Sequence, residues 1–379
     1  VKFWFKSIAF SWLLILVITG LASGESDCRY FWVVRDGLAS PEQVDELLAR
    51  AEAAGANGIM VQVVGRGEAY YDSDLLPPAH FAGFDDPLQY LIQKAGPMGL
   101  EVHAWINAFL VWSAPSGPES PMHIYNTHPE WFTADINGRS SRTFTDSEAE
   151  AAGIVGATLS PAFPGVREYI AGIAVELAEN YRIDGIHLDY IRYPNSSFGF
   201  SSAELELFQL ATGLSQGDNP EAWAVWRQQQ VTETVATVRA VLRSADPGVL
   251  LSCAVMANPY SSAAEFSSDW RSWLDYGLVD FVCPMAYTSD PDRAIELAEI
   301  TTSVHPDKIV YGIGVWNQTV SNAVRGAQQA VSLGAAGVCV FSLNSLPAGG
   351  ESVLKNSWNA GVSPKHGMSP AYLNRVSVP

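Results

Sequence analysis

The chain is poor in charge, poorer still in basic residues, and nearly devoid of cysteine. Charged side chains make up 16% of its 379 residues, and 22 Lys and Arg face 40 Asp and Glu, for a formal net charge of -18. A surface of that sign disfavours nucleic acid and anionic membranes as partners and suits neutral or cationic ligands. A hydrophobic content of 48% places the chain among globular rather than disordered sequences. The four cysteines, Cys28, Cys253, Cys283 and Cys339, form no CxxC pair and no zinc-like Cys/His spacing. The last three sit in apolar runs and read as small buried thiols. No GxGxxG or P-loop stands between a strand and a helix, so no nucleotide cofactor is expected, and no resident metal is assigned.

A long hydrophobic run occurs at the N-terminus. Lys2 and Lys6 precede an apolar stretch over 8–21, and Ala22-Ser23-Gly24 follow with small residues. That pattern predicts a signal peptide over 1–24, a mature chain from Glu25, and a secreted or periplasmic location with no stable membrane insertion after cleavage. One domain is expected over 25–349 and a C-terminal tail over 350–379, with a last short helix after Pro347. The sequence does not specify an oligomeric state.

Between these ends, strand and helix alternate. Apolar runs at 30–34, 58–64, 100–106, 183–191, 249–256, 279–285, 308–315 and 337–343 read as strands. Helices are predicted over 41–54, 87–95, 166–181, 201–212, 220–243, 262–276, 291–303 and 320–333. Ser40 and Pro41 start the first, and Gly334 closes the last. Eight such units predict a (β/α)8 TIM barrel. A doubly wound sheet would want a glycine-rich turn after the first strand, where the chain has Arg35-Asp36-Gly37-Leu38. Residues 107–164 have no clear period, and a connection that long in a compact domain is usually functional.

The most informative stretch is RIDGIHLDYIRYPN over 182–195. It reads as a buried strand, yet it carries Asp184, His187 and Asp189, with the last two on one face. A carboxylate buried on a strand costs several kcal/mol unless it is paired or has a chemical task. In a barrel the active site lies at the carboxyl ends of the strands. The polar residues expected there include Arg35 and Asp36, then Arg66 and Glu68, then His103, Trp105 and Asn107. They continue with Arg192 and Tyr193, Asn258, Tyr287 and Asp290, Trp316 and Asn317, and Ser342 and Asn344. Carboxyl groups, amides and aromatic rings without a metal cluster suit glycoside hydrolysis, which needs two carboxyls while rings stack on sugar faces.

The strand-four segment 184–194, DGIHLDYIRYP, resembles the signature of the glycosyl-hydrolase-like 10 family of bacterial envelope and secreted proteins. VQVVGRGEAYYDS at 61–73, LEVHAWIN at 100–107, HPEWF at 128–132, WRQQQV at 226–231 and the run over 269–290 extend the likeness to most of the mature chain. The resemblance implies a barrel acting on O-glycosidic bonds of a polysaccharide, with envelope polysaccharide or peptidoglycan glycan strands as substrate. It implies Asp189 as nucleophile or stabiliser and Glu68, ahead of Asp290, as acid. Arg66, His103, Trp105, Asn107, His187, Arg192, Tyr193, Tyr287, Asp290 and Trp316 are then expected to bind substrate. A weaker likeness to glycoside hydrolase family 18 fails at Ile191, where that family keeps its catalytic Glu. Two other readings stand beside the hydrolase: a non-catalytic glycan-binding barrel, and a metal-dependent deacetylase or amidohydrolase.

Overall fold

The computed structural model describes residues 28–79 and 84–359. The predicted signal segment and the residues after Asn359 lie outside them. Eight parallel strands close into a barrel: β1 (Cys28–Val33), β2 (Gly58–Gly65), β3 (Glu101–Asn107), β4 (Gly185–Asp189), β5 (Leu250–Met256), β6 (Phe281–Met285), β7 (Val310–Gly314) and β8 (Gly337–Phe341). Closure is explicit in the ladder, because β1 pairs with both β2 and β8. The expected (β/α)8 barrel is therefore the fold.

Two apolar clusters follow from strand alternation. One set of side chains packs outward under the helices. The other fills the barrel with Tyr30, Trp32, Met60, Trp105, Phe281, Cys283 and Cys339. The four cysteines are buried free thiols, and the Cys283 and Cys339 sulfurs lie 4.0 and 3.8 Å from the Met60 sulfur. At the amino ends of the strands, three short polar side chains tie each entering chain to its neighbour. Asn57 accepts from the Arg29 N–H at 2.8 Å, Asp184 from Val102 at 2.7 Å, and Asp280 from Leu251 at 2.7 Å. The first acid of the strand-four segment thus serves the ladder.

The helices are α1 (Pro41–Ala53), α2 (Pro87–Ala95), α3 (Pro164–Asn180), α4 (Ser202–Thr212), α5 (Pro220–Ala245), α6 (Pro259–Phe266), α7 (Trp270–Asp275), α8 (Pro291–Thr302), α9 (Val320–Ser332) and α10 (Gly350–Asn359). Ser40 caps α1 by accepting from the Gln43 N–H, as its position predicts. One difference from the sequence reading has a local cause. The single helix expected over 262–276 is two, because Ser267 takes a left-handed φ of 57° and Asp269 caps a new start. The last short helix expected after Pro347 is α10. That helix packs on α1 through a Trp358 indole bond to the Ala54 carbonyl and an Arg50–Glu351 ion pair at 2.7 Å.

The aperiodic connection after β3 is an ordered insertion. Leu110–Trp112 and Ala157–Thr158 pair antiparallel, and short helices cover Ile124–Thr127 and Asp146–Ala151. Its anchors are polar. The Ala108 N–H donates to the Asp189 carbonyl at 2.8 Å. Buried His123 bridges the Arg66 carbonyl at 2.7 Å and the Tyr125 N–H at 3.0 Å. Gly67 must be glycine here: its φ is +67°, and a Cβ would fall 2.7 Å from the His123 ring.

Candidate active site

A cleft of about 340 Å³ opens at the carboxyl ends of the strands, and Asp189 at the end of β4 reaches it. The register explains the neighbours. Asn107 of β3 stands beside Asp189, and Trp105 beside His187 one layer deeper. The Asn107 amide oxygen accepts from Gln62 Nε2 at 3.1 Å and Trp105 Nε1 at 3.0 Å. Gln62 in turn accepts from Arg35 Nη1 at 3.2 Å. Arg35, Gln62, Asn107 and Trp105 therefore form one hydrogen-bonded row along the β1–β3 side of the cleft.

The opposite wall is aromatic. Tyr287 meets Trp316 edge-on with ring centres 4.9 Å apart, and Trp316 meets Phe341 at 5.4 Å. Trp32 stands against both Tyr287 and Phe341. Trp316 is 47% exposed, which leaves a large ring open to whatever enters.

Asp189 is buried, and burial raises its carboxyl above the usual range. Two groups oppose this. Arg192 Nη1 approaches to 3.6 Å, and the Tyr190 N–H donates to Oδ1 at 2.6 Å. Nη1 of Arg192 makes no hydrogen bond among the described residues, so the pair is a loose ion contact. Tyr190 adopts a φ of 51°, an uncommon conformation for a bulky residue. That kink ends the strand, turns Tyr190 into the cleft, and lets the Arg192 guanidinium sit over the Tyr190 ring at 4.7 Å.

His187 lies one layer deeper in the barrel, below the cleft. The Trp32 indole donates to its Nε2 at 3.0 Å, so Nε2 carries no proton and Nδ1–H faces Ser252 Oγ at 2.9 Å. Burial, with His103 nearby, pushes its pKa well below the usual value, so the ring is neutral.

Of the residues expected to bind substrate, Trp105, Asn107, Arg192, Tyr287 and Trp316 line the cleft with Asp189. Arg66 stands behind it, its Nε 3.3 Å from the cleft-lining Ser113 hydroxyl. The structure does not bring the other four to the cleft. His103 lies at the barrel base, 3.6 Å from Glu101 and packed on Tyr30 and Phe281. Both nitrogens of His187 are bonded to protein. Asp290 caps α8 through the Asp292 and Arg293 N–H groups. Tyr193 is fully buried beside Ser160 and Arg227, because the chain leaves the strand geometry at Tyr190. Glu68 lies in a short antiparallel strand, paired to Gly65 across a turn in which Arg66 and Gly67 both have positive φ, and it is not among the lining residues. Among the described residues, Asp189 is the only carboxylate in that lining.

Trp32, Gln62 and Phe341 are lining residues that the sequence reading passed over. Gln62 left a signal, a lone amide inside an eight-residue buried strand. Among the described residues, no three His, Cys, Asp or Glu side chains are grouped to hold a metal ion, and no helix is long and apolar enough to cross a membrane.

Glycosyl hydrolase DigH of Escherichia coli K12 is 26% identical over 273 residues, covering 63% of this chain and 56% of its own length. Glycosyl hydrolase YngK of Bacillus subtilis is 24% identical over 285 residues, covering 68% of this chain and 52% of its own. The chain thus spans about half the length of the curated relatives it matches. Among solved structures, the glycoside hydrolase domain of PgaB (BpsB) from Bordetella bronchiseptica superposes with a TM-score of 0.68 at 16% identity, over 87% of this chain and 98% of that domain. The β-amylase catalytic domain of Paenibacillus polymyxa gives 0.60 at 12%, over 90% and 100%. These two likenesses concern the barrel alone. The sequence profile of the Glycosyl hydrolase-like 10 family matches residues 27–330, most of the chain and seven of the eight barrel strands. The chain belongs to the Glycosyl hydrolase-like 10 family.

Proposed function

We propose that the protein hydrolyses O-glycosidic bonds in a polysaccharide outside the cytoplasm, with envelope or peptidoglycan glycan strands as the substrate class. One observation carries the reading: a buried carboxyl at the barrel mouth, held by a loose arginine contact, faces an open aromatic wall. Family membership supports the same chemistry.

In this reading Asp189 attacks or stabilises the anomeric carbon as positive charge develops there. Arg192 and the Tyr190 N–H favour its ionised form against the cost of burial. Trp316 and Tyr287 carry the sugar face, while the amides of Asn107 and Gln62 bind hydroxyls. Protonation of the leaving oxygen is assigned to Glu68. The charges of Arg35, Glu68, Asp36 and Arg66 all act on the Tyr70 hydroxyl, so Glu68 shares surroundings with cleft-lining Arg35. Asp290, the other candidate, is occupied as a helix cap.

The test is reducing-end release from a panel of peptide-stripped peptidoglycan, chitin oligomers and α- and β-glucans. Asp189→Asn should lower turnover about 10³-fold while binding persists. Glu68→Gln should slow substrates with poor leaving groups far more than activated aryl glycosides. Slowing of both substrate types by the same factor in Glu68→Gln, or of neither, removes Glu68 from the chemistry. Binding without release by the wild type selects the non-catalytic glycan-binding barrel.

A further inference from the structure

A second cavity, about 560 Å³, lies within the insertion. Its lining includes Trp112, Tyr125, Arg142 and Phe144, with Arg142 packed on Tyr125. Two of its lining residues, Ser113 and Val155, also line the Asp189 cleft. The two spaces therefore share a wall and adjoin at the barrel rim. Val155 is 58% exposed, a bare aliphatic side chain at the junction. Ser113 is held there by Arg66 at 3.3 Å.

The chemistry of this cavity matches that of the cleft. Trp112 and Tyr125 are half-buried rings beside one another, with centres 6.4 Å apart. The Arg142 guanidinium sits over Tyr125 at 4.2 Å and donates through Nε to the Tyr125 carbonyl at 3.0 Å, which fixes the ring and leaves the Nη pair without a hydrogen bond among the described residues. Rigid rings with a few hydroxyl and guanidinium donors are the recognition set for a pyranose, which offers one apolar face and a rim of hydroxyls. The volumes of both spaces fall in the roughly 300–1,000 Å³ range of small-molecule sites.

We propose that the cavity is a distal sugar subsite. A linear glycan bound across Asp189 continues over Val155 and lodges further units in the cavity lined by Trp112 and Arg142, so the enzyme favours long chains over short ones. The proposal rests on the glycan reading of the cleft and adds to it the length of chain recognised.

Binding tests it without requiring turnover. Wild type, Ser147→Trp and Thr143→Trp are titrated calorimetrically with chitin, peptidoglycan-strand and glucan oligomers, each from disaccharide to octasaccharide. Ser147 and Thr143 are exposed residues of the cavity wall, remote from the barrel core, so an indole at either fills the space, at Thr143 with loss of the hydroxyl's bonds to Ser140 and Arg139. A melting curve confirms that each variant is folded. In whichever series the wild type binds, affinity should rise about tenfold or more with length, and both substitutions should cut that rise to about twofold. A length dependence unchanged in both variants, or absent from the wild type, overturns the subsite while leaving the cleft reading intact. Length-dependent binding without bond cleavage supports the subsite and sinks only the hydrolase. Failure to bind any series overturns both.

Discussion

Two buried carboxyls on either side of the β4–α4 connection are handled in opposite ways. Glu204, on α4, accepts from Thr133 Oγ1 at 3.1 Å, from the Ser201 N–H at 2.9 Å and from the Ser160 hydroxyl, with the Tyr193 hydroxyl nearby. Asp189 has one N–H from its own neighbour and an arginine nitrogen 3.6 Å away. Burial raises both carboxyls, and hydrogen bonds oppose it in both. The difference is satisfaction. The bonds to Glu204 come from the insertion, through Thr133 and Ser160, and from the cap of α4, so this carboxyl fastens the insertion to the barrel. Asp189 retains acceptor capacity on the side that opens to the cleft. A buried acid with its lone pairs used is structural, and one with lone pairs left over is available for chemistry.

The strongest way to break the comparison is to neutralise Asp189. Turnover by Asp189→Asn should fall about 10³-fold, yet its melting temperature should equal or exceed the wild type at neutral pH. The sign follows from linkage. The folded carboxyl titrates above its unfolded value of about 3.9, so the folded state binds more protons in between. Wild-type stability is therefore lost as pH rises from the unfolded value through the folded one. The stability gap between variant and wild type should close below about pH 3.9 and widen above it. A variant melting well below the wild type at pH 7 would show that Asp189 is structural.

Glu204→Ala should do the reverse, lowering unfolding free energy by about 3 kcal/mol in urea titrations, because two hydroxyls and an N–H lose their acceptor in a buried site. Proteolysis of the native variant should begin within 108–163. Arg192→Gln should move the acidic limb of the pH–rate profile upward, since it removes the charge that favours the Asp189 carboxylate. An unmoved limb would mean that Asp189 does not govern it. The smallest effect belongs to Ser160→Ala, which removes one of several bonds to Glu204 and should cost about 1 kcal/mol with the pH–rate profile unchanged.

The insertion is also where sequence reading had least to work with. Barrel strands announce themselves because burial on both faces demands apolar runs, and the loops between them need caps and turns with known residue types. Thr133, Ser160 and Glu204 come from distant points of the chain and have no period. Their relationship exists only once the insertion folds back over α4. The same limit applies at the mouth. Alternation correctly placed His187 and Asp189 on one face of β4, the same sheet face that carries Trp105 and Asn107 of β3. Tyr193 was expected at the rim only because it follows the strand, and the φ of 51° at Tyr190 breaks the pleat before it, a kink that nothing in the residue types required.

The sequence by itself determined the barrel, the helix caps and the one strand carboxyl that has no structural reason to be buried, since these depend on local pattern and on the energy of burying particular side chains. Only the tertiary structure decided which polar residues meet. It brought Gln62 to Asn107, sent Tyr193 inward to Ser160 and Arg227, kept Glu68 out of the cleft lining, and set a second cavity against the first. Those outcomes depend on register around a closed sheet and on where a long connection returns, which are properties of the whole chain rather than of any segment.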